Sequence, residues 1–162
     1  MRSRTLSGIA LLVAVLAIPA MAALALDKAA ASGKARIRFV DVASQTAEFI
    51  GYSRSIDLTP AQRAVRDRAL AAIPAPCCAK FSMDTCCCPC NLAKSVWGLS
   101  NFLITRQHAG DSEVRRATLE WIRFVNPGGF TGDVCDTGGG CSRRFADDGC
   151  GGMDERDLRA AR

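Results

Sequence analysis

Histidine and the large aromatic side chains are scarce in this sequence. Its 162 residues include one histidine, one tyrosine and two tryptophans. A single histidine excludes any site that needs two histidine ligands from one chain, and no Cys-x-x-Cys-His sequence is present to attach haem. So few rings give no stacking platform for nucleic acids. The basic residues behind the formal net charge of +5 are scattered among acidic ones, which is typical of a solvated surface.

Sequences that bind phosphate or form a catalytic group are also missing. The glycine run at residues 138–140 lacks the Lys-Ser/Thr ending of a phosphate-binding loop, so we predict no nucleotide site. A nucleophilic enzyme would have to combine His108, Asp111 and a cysteine, and nothing in their spacing favours it. We expect His108 to be a polar loop residue rather than a ligand, we predict no catalytic residue, and on balance we do not expect an enzyme.

The N-terminal segment predicts export. Two arginines near the start precede an uncharged, mostly aliphatic stretch over residues 6–26, which contains small-x-small sequences at residues 20–22 and 23–25. This pattern predicts a signal peptide over residues 1–25 and a periplasmic or extracellular location. The alternative is an uncleaved anchor, since residues 6–26 are just long enough to attach the chain to a membrane as a helix.

The rest of the chain predicts one small, mainly α domain. We expect a linker over residues 26–34, a single cysteine-rich domain over residues 35–153 and a charged tail over residues 154–162. The domain would contain three helices, one short strand and an irregular Gly/Cys-rich C-terminal segment.

Each predicted element follows from a local pattern. Alternation of Ile37 and Phe39 with arginines predicts a strand over residues 35–42. Thr59 followed by Pro60 predicts a helix that ends near residue 73. Two further helices are predicted over residues 90–104 and 111–125, because apolar residues recur there at helical spacing: Leu92, Val96, Leu99 and Leu103 in one, and Val114, Ala117, Trp121 and Val125 in the other.

Cysteine is the residue that the chain has in excess. Six of its nine cysteines lie within residues 77–90, and an odd total means that disulfides within one chain leave at least one over. Thiolates packed this densely are typical of a site for a soft metal ion, Cu(I) first and Zn second. The candidate metal ligands are Cys77, Cys78, Cys86, Cys87, Cys88, Cys90, Cys135, Cys141 and Cys150.

The cysteine pattern also allows two alternatives to metal binding. An oxidising compartment favours a domain stapled by disulfides without metal. The Cys-x-x-Cys spacing of Cys87 and Cys90 is also a redox spacing, and the positive end of the following helix would lower a thiol pKa there, as thiol–disulfide exchange requires. Lys80 and Lys94 could add to that effect.

The stretch from Leu70 to Cys78 is followed by a second cluster of cysteines. This pattern resembles bacterial exported proteins that carry a Pro-Cys-Tyr-Cys-Gly-Cys motif. The resemblance spans residues 48–105. Pro76 with Cys77 and Cys78, or alternatively Pro89 with Cys90, would correspond to the motif, whose tyrosine and glycine this chain lacks. The resemblance implies an exported, cysteine-rich, metal-handling protein, with a metal ion or a metal-handling protein as partner.

Overall fold

The computed structural model of the protein describes residues 37–130 and 143–161, and it is mainly α, as predicted. The predicted signal peptide or anchor and the linker lie outside these residues. Within the described part, no helix is long and apolar enough to cross a membrane. The elements are α1 (Val42–Ser55), α2 (Pro60–Ala71), β1 (Pro74–Ala75), β2 (Cys78–Ser82), α3 (Asn91–Arg106), α4 (Asp111–Val125) and two 3₁₀ helices (Phe145–Asp147 and Glu155–Ala161).

Helix starts follow from capping chemistry. Thr59 accepts a hydrogen bond from the Gln62 backbone N–H, and the Gln62 side chain accepts one from Thr59 N–H, which is a complete capping box before Pro60. Asp41 Oδ1 accepts from the Ser44 N–H at 2.7 Å and so begins α1. The three helices that the sequence predicts are confirmed as α2, α3 and α4.

The strand predicted over residues 35–42 is wrong in its described part. Residues 37–41 have no regular structure and α1, a fourth helix, begins at Val42. Phe39 is half-buried for a different reason, since its ring lies 5.1 Å from the ring of Trp121 and 6.3 Å from that of Phe49. The alternation of apolar residues therefore records contact with helices, not pairing in a sheet.

The only sheet among the described residues is a short antiparallel hairpin. β1 pairs with β2 between α2 and α3, with Pro74 opposite Ser82 and Ala75 opposite Cys78. The hairpin leads directly into the cysteine-rich segment.

α3 is the centre of the helical core. It packs most extensively against α1, and the two backbones approach so closely that a Cβ added at Gly98 would lie 1.7 Å from the Phe49 carbonyl oxygen. On its other side, Ser95 Oγ accepts a hydrogen bond of 3.0 Å from the indole N–H of Trp121 in α4. The predicted apolar positions of α3 are all buried, so α3 presents its N-terminus from a fixed position.

Candidate metal centre

A fixed loop carries the cysteines from the hairpin to α3. The Met83 N–H donates to the Ile73 carbonyl at 2.8 Å, and the Met83 carbonyl accepts from the indole N–H of Trp97 at 2.8 Å. Met83 itself is buried in the core. The loop is thus held at one side by the segment just after α2 and at the other by α3, which limits how far its sulfur atoms can separate.

Three sulfur atoms of this loop form the candidate metal group. The sulfurs of Cys86, Cys88 and Cys90 all lie within 4.8 Å of one another. Cys90 is buried as the N-cap residue of α3, whereas Cys86 and Cys88 are half-buried. A tight turn helps to gather them, because the Cys90 N–H donates to the Cys88 carbonyl at 2.8 Å. The group can hold a metal ion, and its half-buried side gives access from solvent.

Cys88 differs in redox state from Cys86 and Cys90. Cys88 is disulfide-bonded, whereas Cys86 and Cys90 have free thiols. The exposed Cys87 has its sulfur 3.6 Å from the sulfur of Cys88. Because a metal ligand must be a thiolate, Cys88 can join a metal site only after its disulfide is reduced.

Further sulfur atoms reach this group from the hairpin and from the C-terminal segment. The Cys86 sulfur is hydrogen-bonded by the thiols of Cys77 and Cys90. The Cys150 thiol in turn contacts the sulfurs of Cys77 and Cys90. Cys77, Cys90 and Cys150 are almost fully buried, with 1%, 1% and 0% of their surfaces exposed. Cysteines that are up to 73 positions apart in the sequence (77 and 150) therefore share one cluster.

These contacts lower the pKa of one thiol of the cluster and leave two others with raised pKa values. The thiol of Cys77, and then that of Cys90, donates to Cys86 and lowers its pKa to about 3, against the effect of burial. The thiol of Cys150 lowers the pKa of Cys90, but donation to Cys86 and burial together raise that pKa to about 12. The hydrogen bonds to Cys77 and then to Cys90, with burial, raise the pKa of Cys150 far above its usual range. At neutral pH Cys86 is thus a thiolate, and Cys90 and Cys150 are protonated.

Backbone and side-chain hydrogen bonds hold Cys150 in place. The Leu92 N–H donates to the Cys150 carbonyl at 3.0 Å, and the Asn91 N–H donates to the Gly152 carbonyl at 2.9 Å. The buried side-chain amide of Asn91 donates to the carbonyls of Gly151 and Asp154, each at 2.7 Å. The C-terminal segment is therefore joined directly to the first turn of α3.

This arrangement changes what the helix N-terminus does. The positive end of this helix was expected to act on the thiols, but its Asn91 and Leu92 N–H groups bind carbonyls of the C-terminal segment. Only the Ala93 N–H acts on the Cys90 sulfur, whose pKa it lowers, without making a full capping hydrogen bond. Lys94, also expected to favour thiolate, donates instead to the Met153 carbonyl at 2.8 Å. The N-terminus of α3 serves mainly as an anchor.

The remaining predicted residues divide into three groups. Cys78 is buried in β2 and Cys87 is exposed, and neither belongs to the three-sulfur group. Cys135 and Cys141 lie outside the described residues. His108 is exposed between α3 and α4, with φ of 52°, as expected of a loop residue.

Sequence reasoning missed Asn91 as a site residue. An amide directly after the last cysteine of the cluster, at a helix start, looks like an ordinary capping position. No local signal could have found it, because its partners Gly151 and Gly152, which have φ of 80° and 78°, lie far along the chain from Asn91. Such angles favour glycine and let the segment turn closely against α3.

Comparison of the chain with protein-family models, with curated proteins and with solved structures gives no match.

Proposed function

We propose that this protein binds a soft metal ion, Cu(I), through clustered thiolates. The observation that carries the proposal is the gathering of the Cys86, Cys88 and Cys90 sulfurs within 4.8 Å of one another. Thiolate ligands select soft ions, and Cu(I) is satisfied by two or three of them. Zn is the second choice, because its sites need four ligands in a tetrahedron.

Burial and charge both support this choice. A monovalent ion needs one thiolate to neutralise its charge, and the thiolate of Cys86 is present before metal arrives. Hydrogen bonds from Cys77 and Cys90 stabilise this thiolate, so Cys86 does not have to release a proton when it binds the ion. Access through the half-buried Cys86 and Cys88 suits an ion that is taken up and released.

We propose sequestration or delivery of the metal as the task, in an exported protein of the periplasm or the extracellular space. The N-terminal export pattern supports the location. The partner would be the ion itself or a metal-handling protein that receives it. No part of this role requires a catalytic residue.

Competition for Cu(I) tests the proposal. The fully reduced protein, kept without oxygen, is titrated into a coloured Cu(I) complex of a chelator of moderate affinity. We expect the protein to remove Cu(I) and the double variant Cys86→Ser/Cys90→Ser to fail. Cys78→Ser is the matched control, because Cys78 is equally buried but lies outside the three-sulfur group. A wild-type protein that leaves the chelator complex intact would refute metal binding.

The disulfide of Cys88 favours a second candidate, thiol–disulfide exchange. Cys87 has its sulfur 3.6 Å from that of Cys88, and the neighbouring Cys86 has a strongly lowered pKa. In such an exchange a thiolate attacks a disulfide sulfur, and the other sulfur leaves as a thiolate. Catalysed reduction of a mixed disulfide between glutathione and a peptide would support this candidate. If the protein reduces the mixed disulfide no faster than free cysteine does, thiol–disulfide exchange is excluded as its function.

A further inference from the structure

Four sulfur atoms form a closed ring inside the protein. Cys86 contacts Cys77 and Cys90, and Cys150 contacts the same two residues. We call Cys77, Cys86, Cys90 and Cys150 the interior ring. Cys77 and Cys150 are outside the three-sulfur group of Cys86, Cys88 and Cys90, so the ring adds two ligands that this group does not use.

The interior ring and the three-sulfur group share Cys86 and Cys90. A thiolate has more than one lone pair and can bridge two soft ions, which is how closely spaced thiolates bind Cu(I) in clusters. The two shared sulfurs are therefore placed as bridges between an outer ion, completed by Cys88, and an inner ion, completed by Cys77 and Cys150.

The fold is shaped to bring Cys150 into this ring. Gly151 has φ of 80°, and a Cβ there would lie 2.3 Å from the Phe145 ring. The Leu92 N–H donates to the Cys150 carbonyl. The Asn91 side-chain amide donates to the carbonyls of Gly151 and Asp154. A hydrophobic residue at position 150 would have filled the same space without sulfur, so packing alone does not require a thiol there.

Burial explains why the interior ring and the three-sulfur group together need more than one ion. Three of its four sulfurs have at most 1% of their surface exposed. Several thiolates buried together repel one another and lack water, and each Cu(I) bound between them neutralises one negative charge. Each thiol that becomes a ligand releases its proton to solvent, so no oxidant or reductant takes part in the binding step.

We propose that the interior ring is a second Cu(I) site, joined to the first through Cys86 and Cys90, so that the reduced protein holds at least two Cu(I) ions. This inference rests on the proposed function, since it deepens the same metal chemistry. It assigns bridging roles to Cys86 and Cys90 and ligand roles to Cys77 and Cys150.

Native mass spectrometry of the copper-loaded chain tests the ring. Cys135 and Cys141 are first replaced by serine in every sample, so that bound ions report on the described cysteines. The reduced protein is loaded with Cu(I), and excess metal is removed with a chelator. We expect at least two ions in this background and one fewer in Cys150→Ser and in Cys77→Ser. Cys87→Ser, exposed and outside the ring, should keep both.

The outcomes separate this inference from the proposed function. No retained copper contradicts the function itself. One retained ion, unchanged in Cys150→Ser, leaves the function standing and overturns the interior ring. If the serine variants lose the far-ultraviolet circular dichroism of the helices, X-ray absorption of the unsubstituted protein decides instead. A Cu–Cu scattering path is expected there, and scattering from sulfur alone, with one ion per chain, overturns the ring.

Discussion

The side-chain amide of Asn91 donates a hydrogen bond of 2.7 Å to the backbone carbonyl of Gly151. This bond connects the first residue of α3, directly after Cys90, to the residue directly after Cys150. The amide is fully buried and also donates to the Asp154 carbonyl. Two cysteines from distant parts of the chain are thereby brought together by an amide that is not itself a ligand.

Replacing Asn91 by alanine should detach the C-terminal segment from α3. Loss of the two buried hydrogen bonds leaves two carbonyls unsatisfied, and we expect a loss of about 1–3 kcal/mol in the free energy of unfolding. Cys150 should then react with an alkylating reagent in the reduced, metal-free protein. Denaturant unfolding measures the stability, and peptide mass mapping measures the alkylation.

Asn101→Ala is the matched control for Asn91→Ala. Asn101 is also a buried amide of α3, and it donates one hydrogen bond of 3.2 Å to the Ile56 carbonyl. We expect this variant to lose stability while Cys150 stays protected. Equal protection of Cys150 in both variants would show that Asn91 does not hold the segment.

A methyl group at Gly98 should separate α1 from α3. Since its Cβ would lie 1.7 Å from the Phe49 carbonyl oxygen, one helix has to move, and we expect Gly98→Ala to lower the free energy of unfolding by at least about 3 kcal/mol. Gly51→Ala in α1 is the control, because nothing lies within 4 Å of its added Cβ. That change should stabilise the helix by about 0.5–1 kcal/mol. Chemical denaturation of both variants checks the close crossing, and similar stabilities would contradict it.

The thiolate of Cys86 should react with iodoacetamide at low pH. Its pKa is lowered to about 3, so the reactive form is fully present from about pH 5 to pH 8, whereas an ordinary thiol with a pKa of about 8.5 loses tenfold in rate per pH unit there. In the reduced, metal-free protein, the rate at Cys86 should be nearly constant over this range. A tenfold decrease per unit, measured by mass mapping, would show that the hydrogen bonds from Cys77 and Cys90 do not stabilise the thiolate.

The same pKa shift links Cys86 to stability. Because its pKa is lower in the folded protein than in the unfolded chain, Cys86 stabilises the fold fully above the ordinary thiol pKa, and this contribution is lost as the pH falls toward about 3. Cys86→Ser should remove this acid-side loss of the reduced protein. Denaturant unfolding at several pH values compares the two proteins, and parallel pH profiles would contradict the assignment.

Copper binding should weaken as the pH falls. The pKa of Cys90 is raised to about 12 and that of Cys150 is raised further, so both thiols must release protons when they bind a metal. Between about pH 8 and about pH 6 the apparent affinity should decrease by at least tenfold per pH unit. Competition titrations with a chelator of known pH dependence measure this, and an affinity independent of pH would mean that neither thiol is a ligand.

Local patterns predicted α2, α3 and α4 because each has its own signal. Thr59 and Pro60 mark the start of α2, and the burial of Leu92, Val96 and Leu99 follows their helical spacing. α1 was missed because it lacks such a signal: its buried residues are Thr46, Phe49 and Ile50, one of them polar. The strand just before it was predicted wrongly because the alternation of Ile37 and Phe39 resembles that of a strand. Contacts with Phe49 and with Trp121, which lies more than 80 positions further along the chain, explain why Phe39 is half-buried.

The site was predictable to the same extent. The density of cysteines over residues 77–90 is visible in the sequence, but the sequence does not show that Cys86, Cys88 and Cys90 are the three of the nine candidates that come together. The approach of Cys150 to this group is not visible in the sequence either, because it depends on long-range hydrogen bonds from Asn91 and Leu92. The positive φ angles of Gly151 and Gly152 that allow this approach are ordinary for glycine, but they do not show which part of the chain the segment will contact.

The most direct test of the central claim is the intact mass of the fully reduced protein after exposure to Cu(I), measured first under native and then under denaturing conditions. Clustered thiolates predict extra native mass that matches bound copper and disappears on denaturation, with the thiols alkylated only after that step. A native mass equal to that of the metal-free chain, at a Cu(I) concentration well above that of the protein, would contradict the claim.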